Sequence, residues 1–262
     1  MAFISKLFSF MRGKGFGKHP LFQNLFYLYA YVFGFYTEVE GMKIKSAVYS
    51  KPRRFVLYHT EDHEPHVRKV FCSLIRKGMT VVDVGACVGY TVLASKRVGD
   101  NGSVFAFEPD PVRYEALCET VRVNKLKNVK VFNLAVADTD ELKVGRMDLD
   151  IAATNDQKET VKAMPLDSIV EFADVVKIDV VGHELTVLRS MRRILREGTK
   201  IVLEIYPDNL SQIGHSVGEI QDLLERFDYK VYLINPSGLK EVKNILPERN
   251  HYLIVREYES KD

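Results

Sequence analysis

Short apolar runs alternate with segments of helical periodicity over most of this chain. Residues 80–84, TVVDV, form a β-branched run that predicts a buried parallel strand. A turn containing two glycines follows over residues 85–89, residues 90–98 favour a helix, and residues 104–107 predict the next strand. This order is typical of the first half of a nucleotide-binding α/β sheet.

The alternation continues downstream. Seven strands are predicted, at residues 80–84, 104–107, 129–134, 174–180, 200–206, 229–234 and 251–255. The last two flank a turn at Pro236-Ser237-Gly238, which favours a closing hairpin with an antiparallel last strand. Residues 141–164 show no clear period and are expected to be irregular. We therefore expect an α/β fold, a Rossmann-like sheet of seven mostly parallel strands with helices on both faces.

An N-terminal extension over residues 1–62 is expected to precede a cofactor-binding domain over residues 63–262. A turn at Glu40-Gly41 predicts a small β-hairpin in this extension, after a helical segment rich in aromatic residues. Residues 21–36 are too short and too polar for a comfortable membrane span, and no signal-peptide cleavage pattern follows them. Two interpretations remain for residues 1–36: a segment on a membrane surface or a lipid-linked substrate, or a cap packed on the domain or on a second subunit of a homo-oligomer. We favour the cap.

Composition restricts the partners. The net charge of +2 over 262 residues gives no reason to expect a nucleic acid. The three cysteines are odd in number and widely spaced, which argues against a disulfide framework or a zinc site and favours a cytoplasmic protein, with a membrane-peripheral location as the variant. Residues 59–66 hold three histidines and three acids, a composition compatible with a metal site or with a solvated loop before a helix at Pro65; we expect no resident metal.

The turn after the first strand indicates the ligand. A dinucleotide site uses the spacing G-x-G-x-x-G, whereas this chain has Cys87 at the second glycine position. Its pattern, Asp83-x-Gly85-x-x-x-Gly89, resembles the S-adenosylmethionine loop of Rossmann-like methyltransferases. Asp83 would face the methionine end of that cofactor, and Glu108 stands at the end of the next strand, where a carboxylate can accept both ribose hydroxyls. The alternative is an ordinary βα turn with a surface glutamate.

Longer motifs resemble the FkbM family of S-adenosylmethionine-dependent methyltransferases over about residues 64–255. The matching segments are Glu64-Pro65, DVGACVGY at 83–90, FEP at 107–109, Leu166-Asp167, KIDV at 177–180 followed by Gly182 and Glu184, and Leu203-Glu204. Two positions depart from the family pattern: Cys87 stands where the family usually has Asn, and Val181 where it usually has Glu. The fold and the resemblance imply a set of cofactor-binding residues: Glu64, Asp83, Gly85, Ala86, Cys87, Gly89, Tyr90, Glu108, Pro109, Ala135, Val136 and Asp179.

The catalytic candidates lie at the carboxyl ends of the fourth and fifth strands. Lys177 and Asp179 are two residues apart and point to the same face of one strand, as an active-site pair or as a structural ion pair. His183 and Glu204 are further candidates for orienting or deprotonating an acceptor. Asp179 and Glu204 could instead share a divalent metal, as in some related O-methyltransferases.

These residues favour an enzyme that methylates a hydroxyl of a small molecule or glycan. The alternatives are a protein or RNA methyltransferase, or a non-catalytic module that binds a nucleoside and docks a partner through its N-terminal aromatic residues. Val181, in place of the family's acid, keeps the non-catalytic alternative open.

Overall fold

The structure, a computed structural model, describes residues 28–32, 34–49, 54–56, 64–145 and 158–256. The strands are β1 (Tyr36–Val39), β2 (Met42–Lys45), β3 (Ala47–Tyr49), β4 (Arg54–Val56), β5 (Thr80–Val84), β6 (Ser103–Phe107), β7 (Val129–Phe132), β8 (Ala135–Val136), β9 (Glu141–Gly145), β10 (Lys158–Met164), β11 (Val175–Ile178), β12 (Lys200–Ile205), β13 (Tyr229–Asn235), β14 (Gly238–Val242) and β15 (Asn250–Arg256). The helices are α1 (Pro65–Leu74), α2 (Tyr90–Val98), α3 (Pro111–Val123), α4 (Leu166–Ile169), α5 (Glu184–Arg189), α6 (Arg192–Arg196), α7 (Pro207–Gln212) and α8 (Val217–Glu225). Residues 28–32 are also helical.

The central sheet has the order β14-β13-β15-β12-β11-β5-β6-β7. The five strands from β12 to β7 are mutually parallel, and β15 is antiparallel to both β12 and β13. All seven predicted strands are present, and the Rossmann-like α/β fold is confirmed. The turn at residues 236–238 leads into an additional edge strand, β14, before the chain returns as β15. The carboxyl ends of the parallel strands and the start of β15 therefore meet at one edge.

The core lies on both faces of this sheet because successive strand residues point to opposite sides. Val81 packs into a cluster with residues of α1 and α2, including Phe71 and Leu93. Val82 packs into the other large cluster, with residues of α5 to α8 such as Leu188 and Leu224. The near-continuous apolar composition of β5 and β11 follows from this two-sided burial.

The predicted N-terminal hairpin is present as β1 and β2, with its turn at Glu40-Gly41. It packs on α3: the Tyr36 hydroxyl donates to Glu119 Oε1 at 2.8 Å, and the Lys45 amide donates to Thr120 Oγ1 at 2.9 Å. None of the described helices is long and apolar enough to cross a membrane. The predictions for residues 1–27 and for residues 59–63 of the histidine-rich segment lie outside the described residues.

The described parts of this region, residues 141–145 and 158–164, are more regular than their pattern predicts. β9 and β10 pair antiparallel, and β10 also pairs parallel with β8, which forms a small separate sheet. Leu142 and Val161 pack with Ala135 and Ala163 in an apolar cluster of this sheet. Each strand contributes few apolar side chains, so the pairing partner rather than the local period decides its conformation. The small sheet stands beside the carboxyl edge of the main sheet.

Candidate active site

Gly85 brings the glycine loop into contact with the neighbouring strand end. Its φ is +77°, and an added Cβ would lie 2.0 Å from the carbonyl oxygen of Asp179. The Gly85 and Ala86 amides both donate to the Phe107 carbonyl oxygen at 3.0 Å. The glycine is therefore required by the packing of backbone on backbone, in addition to any approach of a ligand.

The carboxyl group of Asp83 links the strand before the loop to the helix after it. It has no exposed surface, and its Oδ2 accepts a hydrogen bond from Thr91 Oγ1 at 2.8 Å. Burial raises the pKa of this carboxyl above its ordinary value. The contact joins β5 to α2, whose N-cap is Gly89. A direct contact of Asp83 with the methionine end of a cofactor stays a prediction.

Cys87 and Glu108 connect the loop to the end of β6. The Cys87 amide donates to Glu108 Oε2 at 2.9 Å, and the Asp110 amide donates to Glu108 Oε1 at 2.9 Å. Glu108 has no exposed surface, and burial raises its pKa to about 7. Cys87 has a φ of +49°, a region that Asn tolerates better than Cys, and burial raises the pKa of its thiol to about 11. The thiol is therefore neutral near pH 7 and is not a nucleophile.

An apolar cleft opens at the ends of β5 and β6, where Phe107 and Pro109, the two neighbours of Glu108 in sequence, line it. Four predicted cofactor-binding residues line it: Gly85, Pro109, Ala135 and Val136. His183 lines the same cleft at the start of α5, with the β9 residues Leu142 and Val144 on the other side. His183, one of the catalytic candidates, thus lies in the wall of this cleft, and its catalytic role stays a prediction.

Lys177 and Asp179 form the predicted pair. Lys177 Nζ donates to Asp179 Oδ2 at 3.1 Å and lies 4.7 Å from the centre of the Tyr90 ring. The Lys177 side chain is 6% exposed and that of Asp179 is 30% exposed. Burial alone would lower the pKa of Lys177, but the carboxylates of Asp179 and Asp83 together raise it. Lys177 therefore stays charged, and Asp179 is the member of the pair that solvent can reach.

Tyr206, which directly follows β12, contacts Asp179 of this pair. Its hydroxyl donates to Asp179 Oδ1 at 3.5 Å, and the guanidinium of Arg249 covers its ring at 4.5 Å. Burial, together with the charges of Asp179 and Glu204, raises the pKa of Tyr206 well above its usual value. Tyr206 is therefore a neutral phenol that can hold Asp179 by donating a hydrogen bond.

Glu204 belongs to a second group of charges around His251. Glu204 Oε1 accepts from Arg249 Nε at 2.5 Å, and Glu204 Oε2 lies 3.2 Å from His251 Nε2. The same His251 nitrogen lies 3.2 Å from Glu64 Oε1. Burial by itself lowers the pKa of His251, but the two carboxylates raise it to about 9, so the ring is an imidazolium near pH 7. Glu64, predicted to bind cofactor, therefore pairs with His251 across the start of α1.

Three side chains lie close enough together to hold a metal ion: Glu64, Glu204 and His251. Their donor atoms lie within 4.8 Å of one another. The protonated His251 and Arg249 already balance the two carboxylates in this group. Asp179 lies outside it, so the geometry does not extend to the shared Asp179–Glu204 metal considered from the sequence. The contacts of these residues with one another and with Arg249 form an ion-paired cluster.

The turn after β11 contains the second departure from the family pattern. Val181 has a φ of +46°, which is unusual for a β-branched residue, and its side chain is 37% exposed. Gly182 follows at +98°, and its amide donates to Glu184 Oε1 at 2.7 Å. Burial raises the pKa of Glu184 to about 7. Strain of this kind persists where the surrounding structure enforces it, often at functional sites.

Sequence reasoning missed Tyr206, Arg249 and His251. Tyr206 directly follows β12, so its place at a strand end was an available signal. His251 is the register partner of Glu204 between β12 and β15. That pairing joins segments far apart in the chain, and no local pattern encodes it.

Comparison with known proteins identifies relatives. Residues 83–231, more than half of the chain, match the family described as Methyltransferase FkbM domain. A stretch of 62 residues is 34% identical to the tRNA(Phe) (4-demethylwyosine(37)-C(7)) aminocarboxypropyltransferase of Methanocaldococcus jannaschii and covers 24% of this chain and 25% of that protein. The chain therefore spans about a quarter of the length of this relative.

Solved structures with similar folds include three proteins of low sequence identity. An Aquifex aeolicus SAM-dependent methyltransferase is 18% identical, with 72% of this chain and 88% of that chain covered and a TM-score of 0.43. M. jannaschii TYW2 in complex with AdoMet is 18% identical, with 85% and 84% covered and a TM-score of 0.49. A Thermotoga maritima SAM-dependent O-methyltransferase is 14% identical, with 79% and 68% covered and a TM-score of 0.44.

Proposed function

We propose that this chain, which belongs to the FkbM methyltransferase family, transfers the methyl group of S-adenosylmethionine to a hydroxyl oxygen of a small molecule or glycan. It is an S-adenosylmethionine-dependent methyltransferase; the hydroxyl acceptor is the proposed part. The observation that carries the proposal is the partly exposed carboxylate of Asp179, fixed by Lys177 on one oxygen and by Tyr206 on the other.

The apolar cleft has surfaces that suit an adenine ring, and Glu108 lies between two residues in sequence that line it. Small apolar side chains at Ala135 and Val136 suit the face of a purine ring, and Pro109 adds a further apolar wall. Each oxygen of Glu108 accepts one backbone amide and retains a lone pair for a ribose hydroxyl. Donation by ribose hydroxyls would favour the ionised form of Glu108, whose pKa is about 7. We assign the nucleoside to this cleft, which has to widen to admit it because its volume in this structure is about 30 Å³.

The cofactor supplies an electrophilic methyl group on a sulfonium, and the protein must place a hydroxyl oxygen in line with it. Asp179 is suited to accept the hydroxyl proton because it is the exposed carboxylate at the end of β11. Lys177 and Tyr206 hold its two oxygens, which restricts its rotation and aims it at the sheet edge. Asp179 would thus orient the acceptor and receive its proton as the oxygen–carbon bond forms, while the sulfur–methyl bond of the cofactor would break and leave a neutral thioether.

The other predicted catalytic residues take different roles in this proposal. Glu204 is 3% exposed and engaged by Arg249 and His251, so we assign it to positioning rather than to proton removal. Lys177 positions Asp179. His183 is assigned to the nucleoside cleft, whose wall it forms.

The test is a transfer assay with the full chain, methyl-labelled S-adenosylmethionine and fractionated hydroxyl-bearing small molecules and glycans. We expect label in a base-stable methyl ether. Asp179→Asn should lower kcat by about 10²–10⁴-fold with little change in the cofactor Kd, and Tyr206→Phe should lower kcat less. Asp208→Asn, an exposed carboxylate in α7, is the matched control. Full turnover by Asp179→Asn, or label found only in base-labile esters, would exclude this assignment.

RNA is a second candidate acceptor, favoured by the local similarity to an enzyme whose name specifies tRNA. The net charge of +2 does not favour it. The same assay with a total tRNA pool distinguishes the two acceptors. Label that is released by ribonuclease, at a rate exceeding that with any glycan fraction, would replace the hydroxyl proposal.

A further inference from the structure

An apolar stripe is exposed on the helical residues 28–32. Leu28, Tyr31 and Val32 are 56%, 55% and 59% exposed, whereas Ala30 between them is 1% exposed. Positions i, i+3 and i+4 share one face of a helix, so the three large side chains form a single outward stripe. A cap packed on the domain through its large apolar residues would bury them. The helix instead turns its small residue inward.

The sequence around this stripe is basic and lacks acids. The first acid in the chain is Glu38, and the preceding residues contain the cations Lys6, Arg12, Lys14 and Lys18. The rest of the chain carries slightly more acids than bases, so positive charge is concentrated in this segment. Five apolar residues are interspersed with the cations: Phe3, Leu7, Phe8, Phe10 and Phe16. Cations together with aromatic and aliphatic residues are the composition that binds the interface of an anionic bilayer.

We propose that residues 1–36 bind the surface of an anionic phospholipid membrane, with Leu28, Tyr31 and Val32 as the apolar contact. The proposal concerns binding on the surface rather than a span. It does not depend on which acceptor the enzyme methylates.

The charge of residues 1–36 favours a membrane, rather than a second copy of this chain, as the partner of the exposed stripe. Two copies of one segment that has four cations and no acid repel each other, whereas anionic headgroups attract it. The segment is also firmly attached to the catalytic domain, since Tyr36 and Lys45 of the hairpin bond to Glu119 and Thr120 of α3. Binding at residues 28–36 would therefore hold the domain at the membrane surface.

The test is co-sedimentation of the full chain with two kinds of vesicle, pure phosphatidylcholine and a mixture of phosphatidylcholine with phosphatidylglycerol. We expect binding to the mixed vesicles at low salt, at least about tenfold stronger than to the neutral ones, and weakening as salt rises. The double variant Leu28→Glu/Val32→Glu should reduce binding by about tenfold or more. Leu239→Glu, on a 49% exposed side chain of β14, is the matched control and should bind as wild type does.

A second arm tests the charges. Lys14→Glu/Lys18→Glu should weaken binding to the mixed vesicles, whereas Lys240→Glu on exposed β14 should not. Methyl transfer to a soluble acceptor should be unchanged in all these variants, which separates this proposal from the catalytic one. No binding of wild type to anionic vesicles at low salt overturns the proposal. So does a dimer, measured by light scattering, that the Leu28→Glu/Val32→Glu variant dissociates. The wild-type lipid comparison stands even if that variant does not fold.

Discussion

The carbonyl oxygen of Asp179 occupies the space that a side chain on Gly85 would need, 2.0 Å from the position of the added Cβ. The loop after β5 and the end of β11 are thus packed backbone to backbone. One consequence is that the predicted cofactor loop and the predicted catalytic carboxylate cannot shift independently. The geometry of Asp179 is set partly by the glycine beside it.

Gly85→Ala should therefore destabilise the protein more than the loss of a left-handed glycine alone. Gly78 has a similar φ, +84°, but nothing lies within 4 Å of its added Cβ. We expect Gly78→Ala to cost about 1–2 kcal/mol of unfolding free energy and Gly85→Ala more than about 3 kcal/mol. Urea unfolding of the two variants measures the difference. Equal losses would mean that the contact with Asp179 relaxes without cost.

Substitutions of Cys87 test whether the backbone conformation at this position favours the asparagine that is usual in the family. The residue has a φ of +49°, and the hydrogen bond that its backbone amide donates to Glu108 does not depend on the side chain. Cys87→Asn should be more stable than Cys87→Val by about 1–2 kcal/mol, although valine matches the partly buried site better in polarity. Thermal unfolding of both variants at one pH decides. A more stable valine variant would show that burial outweighs the backbone conformation at this position.

The elements with strong local patterns could be predicted from the sequence. Val81 and Val82 illustrate why: a run of β-branched residues buried on both sides is the ordinary composition of a central parallel strand. The loop from Gly85 to Gly89 was predictable because its glycines and flanking strand define one local unit. The paired Lys177 and Asp179 followed from their spacing on one strand.

The remaining parts of the site depend on long-range pairing. His251 reaches Glu204 only because β15 is antiparallel to β12 in a register that sets these two residues opposite each other. Glu64 joins them from the start of α1, a third distant segment. His183 lies at the start of α5 and lines the apolar cleft, a placement that depends on the turn at Gly182 and on the distant segments that form the other walls. No hydrophobic period carries this information.

Glu108→Ala should weaken cofactor binding. The substitution removes the acceptors proposed for the ribose and leaves the amides of Cys87 and Asp110 without their partner. We expect a loss of about 1–3 kcal/mol in the binding free energy of S-adenosylmethionine, measured by isothermal titration. Glu108→Gln, which keeps one acceptor oxygen, should lose less. An unchanged Kd in a folded Glu108→Ala variant would refute the ribose assignment.

The burial of Glu184 should make the protein less stable as the pH rises from about 4.5 to about 7, the range over which its carboxyl group loses its proton. Its side chain has no exposed surface, and its Oε2 has no hydrogen-bond partner among the described residues. Burial raises the pKa to about 7 from an ordinary value of 4.5, so the folded state holds a proton that the unfolded chain releases. This contribution to stability is complete below about pH 4.5, is lost as the pH rises towards 7, and stays lost above it.

Glu184→Gln removes this titration while keeping an oxygen for the Gly182 amide, which donates to Glu184 Oε1 at 2.7 Å. Relative to wild type, the variant should gain about 1–3 kcal/mol of unfolding free energy between about pH 5 and about pH 8. Urea unfolding at the two pH values measures the gain, and groups that titrate in both proteins cancel in the comparison. Glu171→Gln, on an exposed side chain, should show no such gain. A difference of zero for Glu184→Gln would mean that Glu184 is ionised in the folded protein across this range, held by water or a ligand at Oε2.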